Sequence, residues 1–176
     1  MKQPTGSVVQ MAFVVRDMRR SAEYFGKAFG AGPFFLLEHV PLANPNYRGR
    51  AVAPDFSVAI GFSGAMQIEL IEQHCDTPSI YKEFLDAHGE GYHHVWRRVA
   101  DFDKAKAEYE AMGWDAAWQV DSLGIGRCAY IDTHGQAGRY IEIMEFSPGL
   151  LKSWEEMERI SDAWDGSDFF RPVPAF

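Results

Sequence analysis

The chain has 176 residues, of which 47% are hydrophobic and 14% aromatic, enough for one domain with a well-filled core. Its formal charge of −8 and its pI near 5.2 exclude the basic surface that nucleic-acid binding requires. Two cysteines are too few for a disulfide framework, and we expect neither a secretory leader nor a transmembrane segment. The composition therefore predicts a cytoplasmic protein that binds neither nucleic acid nor a membrane.

The first half of the chain predicts a unit of one strand, one helix and three further strands. Val8–Val15 has the β-branched and aromatic composition of a strand, and Asp17 can cap a helix that ends at Gly30. The segment Pro41–Pro54 is rich in turn residues and is predicted to be a surface loop. The further strands are predicted at Phe34–Val40, Phe56–Phe62 and Met66–Glu72.

A linker and a second unit follow. Thr77-Pro78 is a cap residue followed by proline at the first helical position, so a short linker helix is predicted over about 78–88. His93–Val99 then predicts a strand, and Asp101 can cap a helix that ends at Gly113. The remaining strands are predicted at Trp118–Val120, Arg127–Asp132 and Tyr140–Phe146.

The last part of the chain has no counterpart in the first half. Ser147-Pro148 predicts the start of another helix, which carries an apolar stripe and ends near Asp165-Gly166. We interpret residues 1–147 as one domain, with units at about 7–73 and 91–147, and residues 148–176 as a helical extension. This extension could cover a cavity or a dimer interface.

Two polar positions recur in both units and supply four residues. Gln10 near the start of the first unit corresponds to His94 in the second, and Glu69 near its end corresponds to Glu142. If the units pack about a pseudo-twofold axis, these four side chains can meet in one cavity. One imidazole, two carboxylates and one amide oxygen suit zinc, nickel, cobalt or manganese. Such a site would leave room for a substrate and would act as a Lewis acid.

Each of these residues also has a structural interpretation. A lone histidine in a strand is more often a hydrogen-bonded structural residue than a ligand. A glutamate between apolar strand neighbours is a sharper signal, because a buried carboxylate needs a partner. Trp96 and Arg98 share the strand face of His94. Trp96 is therefore a candidate wall or core residue, and Arg98 is either a cation for an anionic substrate or a surface arginine.

Four segments resemble the vicinal oxygen chelate superfamily, the glyoxalase and bleomycin-resistance fold. The resemblance covers about residues 7–147 and implies an α+β fold in which two tandem βαβββ units form one cupped mixed sheet. The segments are QMAFVVRDMRRSAEYFGKAFGAG (Gln10–Gly32), MQIELIE (Met66–Glu72), GYHHVWRRVADFDKA (Gly91–Ala105) and YIDTHGQAGRYIEIME (Tyr130–Glu145).

The resemblance also implies a site and a chemistry. Members of the superfamily carry their metal ligands on the first and last strands of each unit, which here are Gln10, Glu69, His94 and Glu142. This set resembles the zinc form of glyoxalase I, and the overall pattern resembles methylmalonyl-CoA epimerase. Both enzymes remove a proton next to a carbonyl, which implies Glu142 as the base, with Glu69 sharing that role. A small-molecule substrate, which can be anionic, and a homodimer are expected.

Two departures argue against two particular activities of the superfamily, that of glyoxalase I on lactoylglutathione and that of the extradiol dioxygenases. Val14 stands where glyoxalase I has an arginine for glutathione, and Gln10 replaces the first histidine that an extradiol dioxygenase needs. The leading hypothesis is a metal-dependent lyase, isomerase or epimerase. The alternative is a metal-free protein that sequesters a small molecule, and a dioxygenase comes third. The two halves could close on each other within one chain or across a dimer.

Overall fold

The computed structural model describes residues 3–122, 126–136, 138–145 and 147–175. Its helices are Met18–Phe29 (α1), Ile80–His88 (α2), Phe102–Ala111 (α3) and Pro148–Asp162 (α4). Its strands are Val8–Val14 (β1), Phe34–Leu37 (β2), Leu42–Tyr47 (β3), Arg50–Ala51 (β4), Phe56–Ser63 (β5), Met66–Gln73 (β6), Gly91–Arg97 (β7), Ala116–Ser122 (β8), Gly126–Asp132 (β9), Tyr140–Met144 (β10) and Phe170–Pro172 (β11). None of the helices in this part of the chain is long and apolar enough to span a membrane.

All the described strands belong to one mixed sheet, in the order β11-β2-β5-β6-β1-β7-β10-β9-β8-β3-β4. The first unit contributes β2-β5-β6-β1 and the second contributes β8-β9-β10-β7, so the two halves mirror each other about the β1–β7 pair. β1 pairs parallel with β6 and antiparallel with β7. The predicted α+β fold with tandem βαβββ units is confirmed, and the two units are joined within one chain.

The helices α1 and α3 begin where the repeat predicts. The Asp17 carboxylate accepts from the Arg20 amide at 2.9 Å, and the Asp101 carboxylate accepts from the Lys104 amide at the same distance. Each carboxylate thus satisfies an amide of the first helical turn that has no partner within the helix. Helix α1 ends at Gly30, whose φ of 62° is in the left-handed region that glycine adopts without strain.

The predicted surface loop Pro41–Pro54 is wrong, because β3 and β4 form a hairpin there. Arg48 and Gly49 both have positive φ angles, as a two-residue hairpin turn requires. β3 also pairs with β8 of the second unit, although pairing is interrupted between Ala43 and Asn46. β3 tolerates turn residues such as asparagine and proline because it is partly exposed and bulged. For the same reason its composition does not resemble that of a buried strand.

Other element boundaries also differ from the predictions. Helix α2 is capped by Ser79 rather than Thr77, since the Ser79 hydroxyl accepts from the amides of Tyr81 and Lys82. Strand β7 ends at Arg97, two residues earlier than predicted, and this changes the placement of Arg98. Phe146, the predicted last residue of β10, lies outside the described residues.

The sheet curves strongly enough to bring its two ends together. β2 lies near one end of the strand order and β3 near the other, yet only residues 38–41 connect them. The five residue steps from Leu37 to Leu42 can span at most about 18 Å. Both residues line the same central cavity. The sheet is therefore a cup, as predicted, and its concave face encloses that cavity.

Helix α4 and strand β11 close the open side of the cup. β11 pairs parallel with β2, and the Ser153 hydroxyl of α4 donates to the carbonyl of Pro174 at 3.1 Å. Leu150, Trp154 and Met157 of α4 form a buried cluster with residues of both units and line the cavity. Of the two places considered for the extension, the structure shows it over the cavity.

The close contact between Gly32 and Trp164 allows the contribution of the C-terminal segment to stability to be tested. A Cβ atom there would lie 2.7 Å from the Trp164 ring, and the Gly32 φ of 149° is one that other residues rarely adopt. We expect Gly32→Ala to lower the free energy of unfolding by about 3 kcal/mol or more in urea titrations. Gly30→Ala is the control, because its Cβ would meet no atom within 4 Å, and its cost should be about 1–2 kcal/mol. Equal losses in the two variants would contradict tight packing of the C-terminal segment at Gly32.

Candidate metal centre and its cavity

Four neighbouring strands in the middle of the sheet carry the predicted ligands. Ala12 of β1 pairs with Glu69 of β6 on one side and with His94 of β7 on the other. Paired residues point to the same face of a sheet, so Glu69 and His94 flank the small, fully buried Ala12 side chain. Gln10, two residues before Ala12, shares this face, and Glu142 of β10 is in register with Trp96. The repeated register therefore brings all four to the concave side.

Three of the predicted ligands meet directly. The Nε2 atom of His94 lies 3.1 Å from Oε2 of Glu142 and 3.6 Å from Oε2 of Glu69. One ligand atom from each of the three residues lies within 4.8 Å of the other two, and all three side chains are buried. The convergence occurs within one chain, so a partner subunit is not needed to bring these groups together.

Two buried oxygens at the site have no hydrogen-bond partner among the described residues. They are Oε2 of Glu69 and Oε1 of Gln10. Gln10 lines the same cavity as Glu69 and Glu142, and its Nε2 donates to the Oε1 of Gln67. A buried acceptor without a partner costs about 1–3 kcal/mol, and a cation is one partner that a buried oxygen of this kind can take. The donor set therefore fits the divalent ion that members of this fold family commonly carry.

A pair of histidines determines which nitrogen of His94 faces the site. Nε2 of His93 lies 3.2 Å from the backbone oxygen of Ile80, which can only accept, so this nitrogen carries the proton. Nδ1 of the neutral His93 ring is then an acceptor, and Nδ1 of His94 donates to it at 2.9 Å. His94 is left with a lone pair on Nε2, directed at the two carboxylates. This is the tautomer that a metal ligand needs.

Burial shifts the pKa values of Glu142, Glu69 and His94 in the direction that favours the neutral form of each side chain. Burial raises the pKa of Glu142 to about 8, although a hydrogen bond with Tyr130 opposes this rise. Burial and the facing Glu142 carboxylate raise the pKa of Glu69 well above 4.5. Burial lowers the pKa of His94 to about 3. The two carboxyls therefore need a cation to be charged at neutral pH.

The cavity above these groups has a volume of about 100 Å³ and mostly apolar walls. At one side the Tyr81 hydroxyl donates to the Tyr130 hydroxyl at 3.1 Å, and Tyr130 bonds to Glu142. At the opposite side the rings of Trp96 and Trp154 meet nearly edge to face, with centroids 5.0 Å apart. Trp96, which the sequence predicts as a wall or core residue, lines the cavity and is 3% exposed.

Arg98 does not line this cavity. β7 ends at Arg97, so the alternation of faces that predicted an inward Arg98 no longer applies. The Arg98 guanidinium donates to the backbone oxygen of Gln3 at 2.8 Å, and its backbone bonds to Gly6 and Ser7. The residue lies in a separate surface hollow, and its predicted role as the cavity's cation is corrected.

Several contributors to the site were not singled out from the sequence. Gln67 shares the face of Glu69 and positions the Gln10 amide, but an amide in a strand is a weak signal by itself. Tyr130 is one of many aromatic strand residues in the sequence, and its bond to Glu142 depends on the β9–β10 register. The His93-His94 pair is visible in the sequence, but which of the two rings donates depends on the Ile80 backbone oxygen in α2.

His93 is predicted to control metal affinity without binding the metal. His93→Leu removes the acceptor for Nδ1 of His94, and we expect a metal affinity about 10–100-fold weaker. His93→Asn is the matched control, because asparagine has nearly the shape of leucine but keeps an acceptor near the position of Nδ1. Titration calorimetry measures the affinity, and ¹⁵N NMR of the metal-free protein reports the His94 tautomer. Equal affinities in the two variants would contradict this role.

Sequence comparison places the chain in a family. Residues 9–130 match the model of the Glyoxalase/Bleomycin resistance protein/Dioxygenase superfamily, so the chain belongs to this superfamily. No curated protein matches the sequence significantly. This membership agrees with the vicinal oxygen chelate resemblance of the sequence and with the tandem units of the sheet.

Solved structures show the same fold at low identity. Methylmalonyl-CoA epimerase from Mycobacterium tuberculosis superposes with a TM-score of 0.58 at 19% identity, covering 84% of this chain and 94% of that one. A variant of the Streptomyces coelicolor epimerase, in complex with 2-nitronate-propionyl-CoA, gives 0.57 at 16%, covering 82% and 97%. A mutant of 4-hydroxymandelate synthase from Streptomyces coelicolor gives 0.56 at 13%, covering 82% and 39%. At these identities the similarity shows the fold alone.

Proposed function

We propose that this chain is a divalent-metal-dependent lyase, isomerase or epimerase that removes a proton next to a carbonyl group. The observation that carries the proposal is the buried convergence of Glu69, His94 and Glu142 beneath an apolar cavity. Gln10 would complete the ligand set. Zinc, nickel, cobalt and manganese all suit these donors. When bound, such an ion acts as a Lewis acid that stabilises negative charge developing on a substrate oxygen.

Glu142 is proposed as the base. Its carboxyl group is buried beside the cavity, and the Tyr130 hydroxyl bonds to it and orients it. In the reaction the C–H bond next to the carbonyl breaks, its electron pair moves towards the carbonyl oxygen, and the proton is transferred to a Glu142 oxygen. Delivery of a proton to the opposite face by the second carboxyl group, Glu69, would give an epimer, with Glu142 releasing its proton to solvent. Return of the Glu142 proton to the neighbouring carbon would give an isomer. Glu69 is proposed to share this work.

The alternative is a metal-free protein that binds a small molecule. The aromatic walls of the cavity, which include Trp96, Trp118 and Tyr130, favour this candidate. An oxygenase is less well supported, because the buried group contains one imidazole and two carboxylates. Non-haem iron oxygenases typically use two histidines and one carboxylate. The expected homodimer and cytoplasmic location stay predictions.

The experiment that separates the first two candidates is metal analysis of protein purified without chelator. Proton NMR in deuterated water should follow, with small hydroxyketones as substrates and each of the four ions added in turn. We expect one tightly bound ion per chain and metal-dependent exchange of the proton next to the carbonyl. Tight binding of the hydroxyketones without any ion uptake would contradict the enzyme and favour the binding protein.

A further inference from the structure

The side chains that line the cavity indicate the charge and polarity of the substrate. Among the described residues that line the cavity, only Glu69 and Glu142 are charged, and Gln10 and Gln67 are the only amides. The other walls are aliphatic, aromatic or sulfur-containing side chains, including Phe56, Val58, Trp118, Val120, Cys128 and Met144, and the hydroxyls of Tyr81 and Tyr130 are uncharged. Lysine and arginine are absent from this described lining.

Basic side chains that neighbour wall residues in the sequence are held elsewhere. Arg97 donates to the Tyr109 hydroxyl, Lys82 binds Asp86 and Arg127 binds Asp103. Arg48 and Arg139 both bind Glu83, at 3.0 and 3.2 Å. Arg171 of β11 donates to the backbone oxygens of Asp168 and Phe170. Each of these cations therefore has partners outside the described lining, and none of them is a wall residue of the cavity.

Charge balance at the site argues against an anionic substrate. Two ionised carboxylates neutralise one divalent ion, so no positive charge is left for a carboxylate or phosphate on the ligand. An anion entering an apolar cavity loses its hydration and gains no partner, which costs several kcal/mol or more. A neutral ligand avoids both costs.

The C-terminal segment also limits the size of the ligand. Trp154 is 1% exposed, and its indole Nε1 donates to the Glu158 carboxylate at 3.1 Å, which holds the ring over the cavity. Phe62 contacts the same ring with centroids 5.7 Å apart, and Val173 adds a further wall from the chain after β11. The cavity has a volume of about 100 Å³, whereas clefts that hold drug-sized ligands have roughly 300–1,000 Å³.

We infer that the substrate is a compact, uncharged carbonyl compound with a short apolar body, and not a coenzyme A ester or another anion. The reaction assigned to this compound rests on the proposed function, whereas its class rests on the cavity walls. Helix α4 and the chain after it thus select the substrate by covering the cavity with apolar side chains.

Two matched ligands test this inference. One is the hydroxymethyl ketone that carries an isopentyl chain, which ends in an isopropyl group. In the other, a carboxylate of the same shape replaces that isopropyl group. Titration calorimetry with the zinc-loaded protein should show the neutral ketone binding at least about 100-fold more tightly. Equal binding, tighter binding of the carboxylate, no binding of either ketone, or tighter binding of methylmalonyl-CoA would overturn the inference.

A variant supplies the missing cation. Val173 lines the cavity and is only partly buried, so Val173→Lys can place an ammonium group at the wall without burying it fully. We expect Val173→Lys to improve binding of the carboxylated ketone at least tenfold, whereas Val173→Met, of similar length, should not. Equal effects of the two variants would overturn the inference.

Proton exchange measured on the same samples separates the two proposals. Tight binding of the neutral ketone without exchange in deuterated water would contradict the proposed reaction but leave the ligand class standing. Equal exchange of both ketones would support the reaction and overturn the ligand class.

Discussion

Replacing Glu142 with glutamine is expected to slow exchange of the proton next to the substrate carbonyl by about 100- to 10,000-fold, the range that general bases contribute. The amide has the shape of the carboxyl group and keeps an oxygen towards the site, but it cannot accept the proton. Burial raises the pKa of Glu142 to about 8, so a neutral side chain there avoids the cost of burying a charge. The variant should therefore unfold at the same temperature as the wild type or higher.

Glu145→Gln is the matched control for this experiment. Glu145 follows β10 directly but is exposed and bound to Arg127, so the same chemical change there should leave exchange unaltered. Glu69→Gln should reduce exchange less than Glu142→Gln if Glu69 only shares the role. Exchange near the wild-type rate in Glu142→Gln, with exchange lost in Glu69→Gln, would reverse the two assignments.

Adding a divalent ion at about 100 times its dissociation constant is expected to stabilise the protein by about 2.7 kcal/mol. For a chain of this size, that corresponds to a rise of roughly 5–11 °C in the melting temperature. The ion replaces protons on Glu69 and Glu142, whose raised pKa values keep them protonated at low pH. Metal affinity should therefore increase as the pH rises from 6 towards the Glu142 pKa of about 8.

His94→Ala should abolish this thermal shift, because it removes the only imidazole of the described ligand group. His134→Ala is the control, since His134 is an exposed histidine in the turn before β10 and should leave the shift intact. Calorimetric melts with zinc, nickel, cobalt and manganese measure the effect. A melting temperature that stays unchanged when each of the four ions is added separately would contradict the metal site and favour the metal-free binding protein.

Much of the fold could be predicted because its determinants are local. Asp17 and Asp101 cap α1 and α3 as predicted, since capping depends on a side chain and the amides a few residues away. The strands predicted at Phe56–Phe62 and Met66–Glu72 are confirmed for the same reason, since they pair as an antiparallel hairpin across a short turn. β3 was missed because its pairing partner, β8, is more than 60 residues away along the chain, and nothing in Pro41–Pro54 itself indicates that partner.

Some features of the candidate site could also be predicted from the sequence, and others could not. The repeat relates Gln10 to His94 and Glu69 to Glu142, and alternation of strand faces directs all four inwards. Arg98 could not be placed by this reasoning, because alternation holds only within a strand and β7 ends one residue before it. The His94 tautomer was equally inaccessible, since it depends on the backbone oxygen of Ile80 in a separate helix.

The two units, their capped helices and the four polar residues can be read from the amino-acid sequence, because each follows from spacing along one strand or helix or from the repeat between the units. The three-dimensional fold was needed to show that these groups meet within one chain, that α4 covers them, and that the described walls around them lack a cation. These properties depend on the curvature of the sheet and on contacts between distant residues. Local patterns do not encode either one.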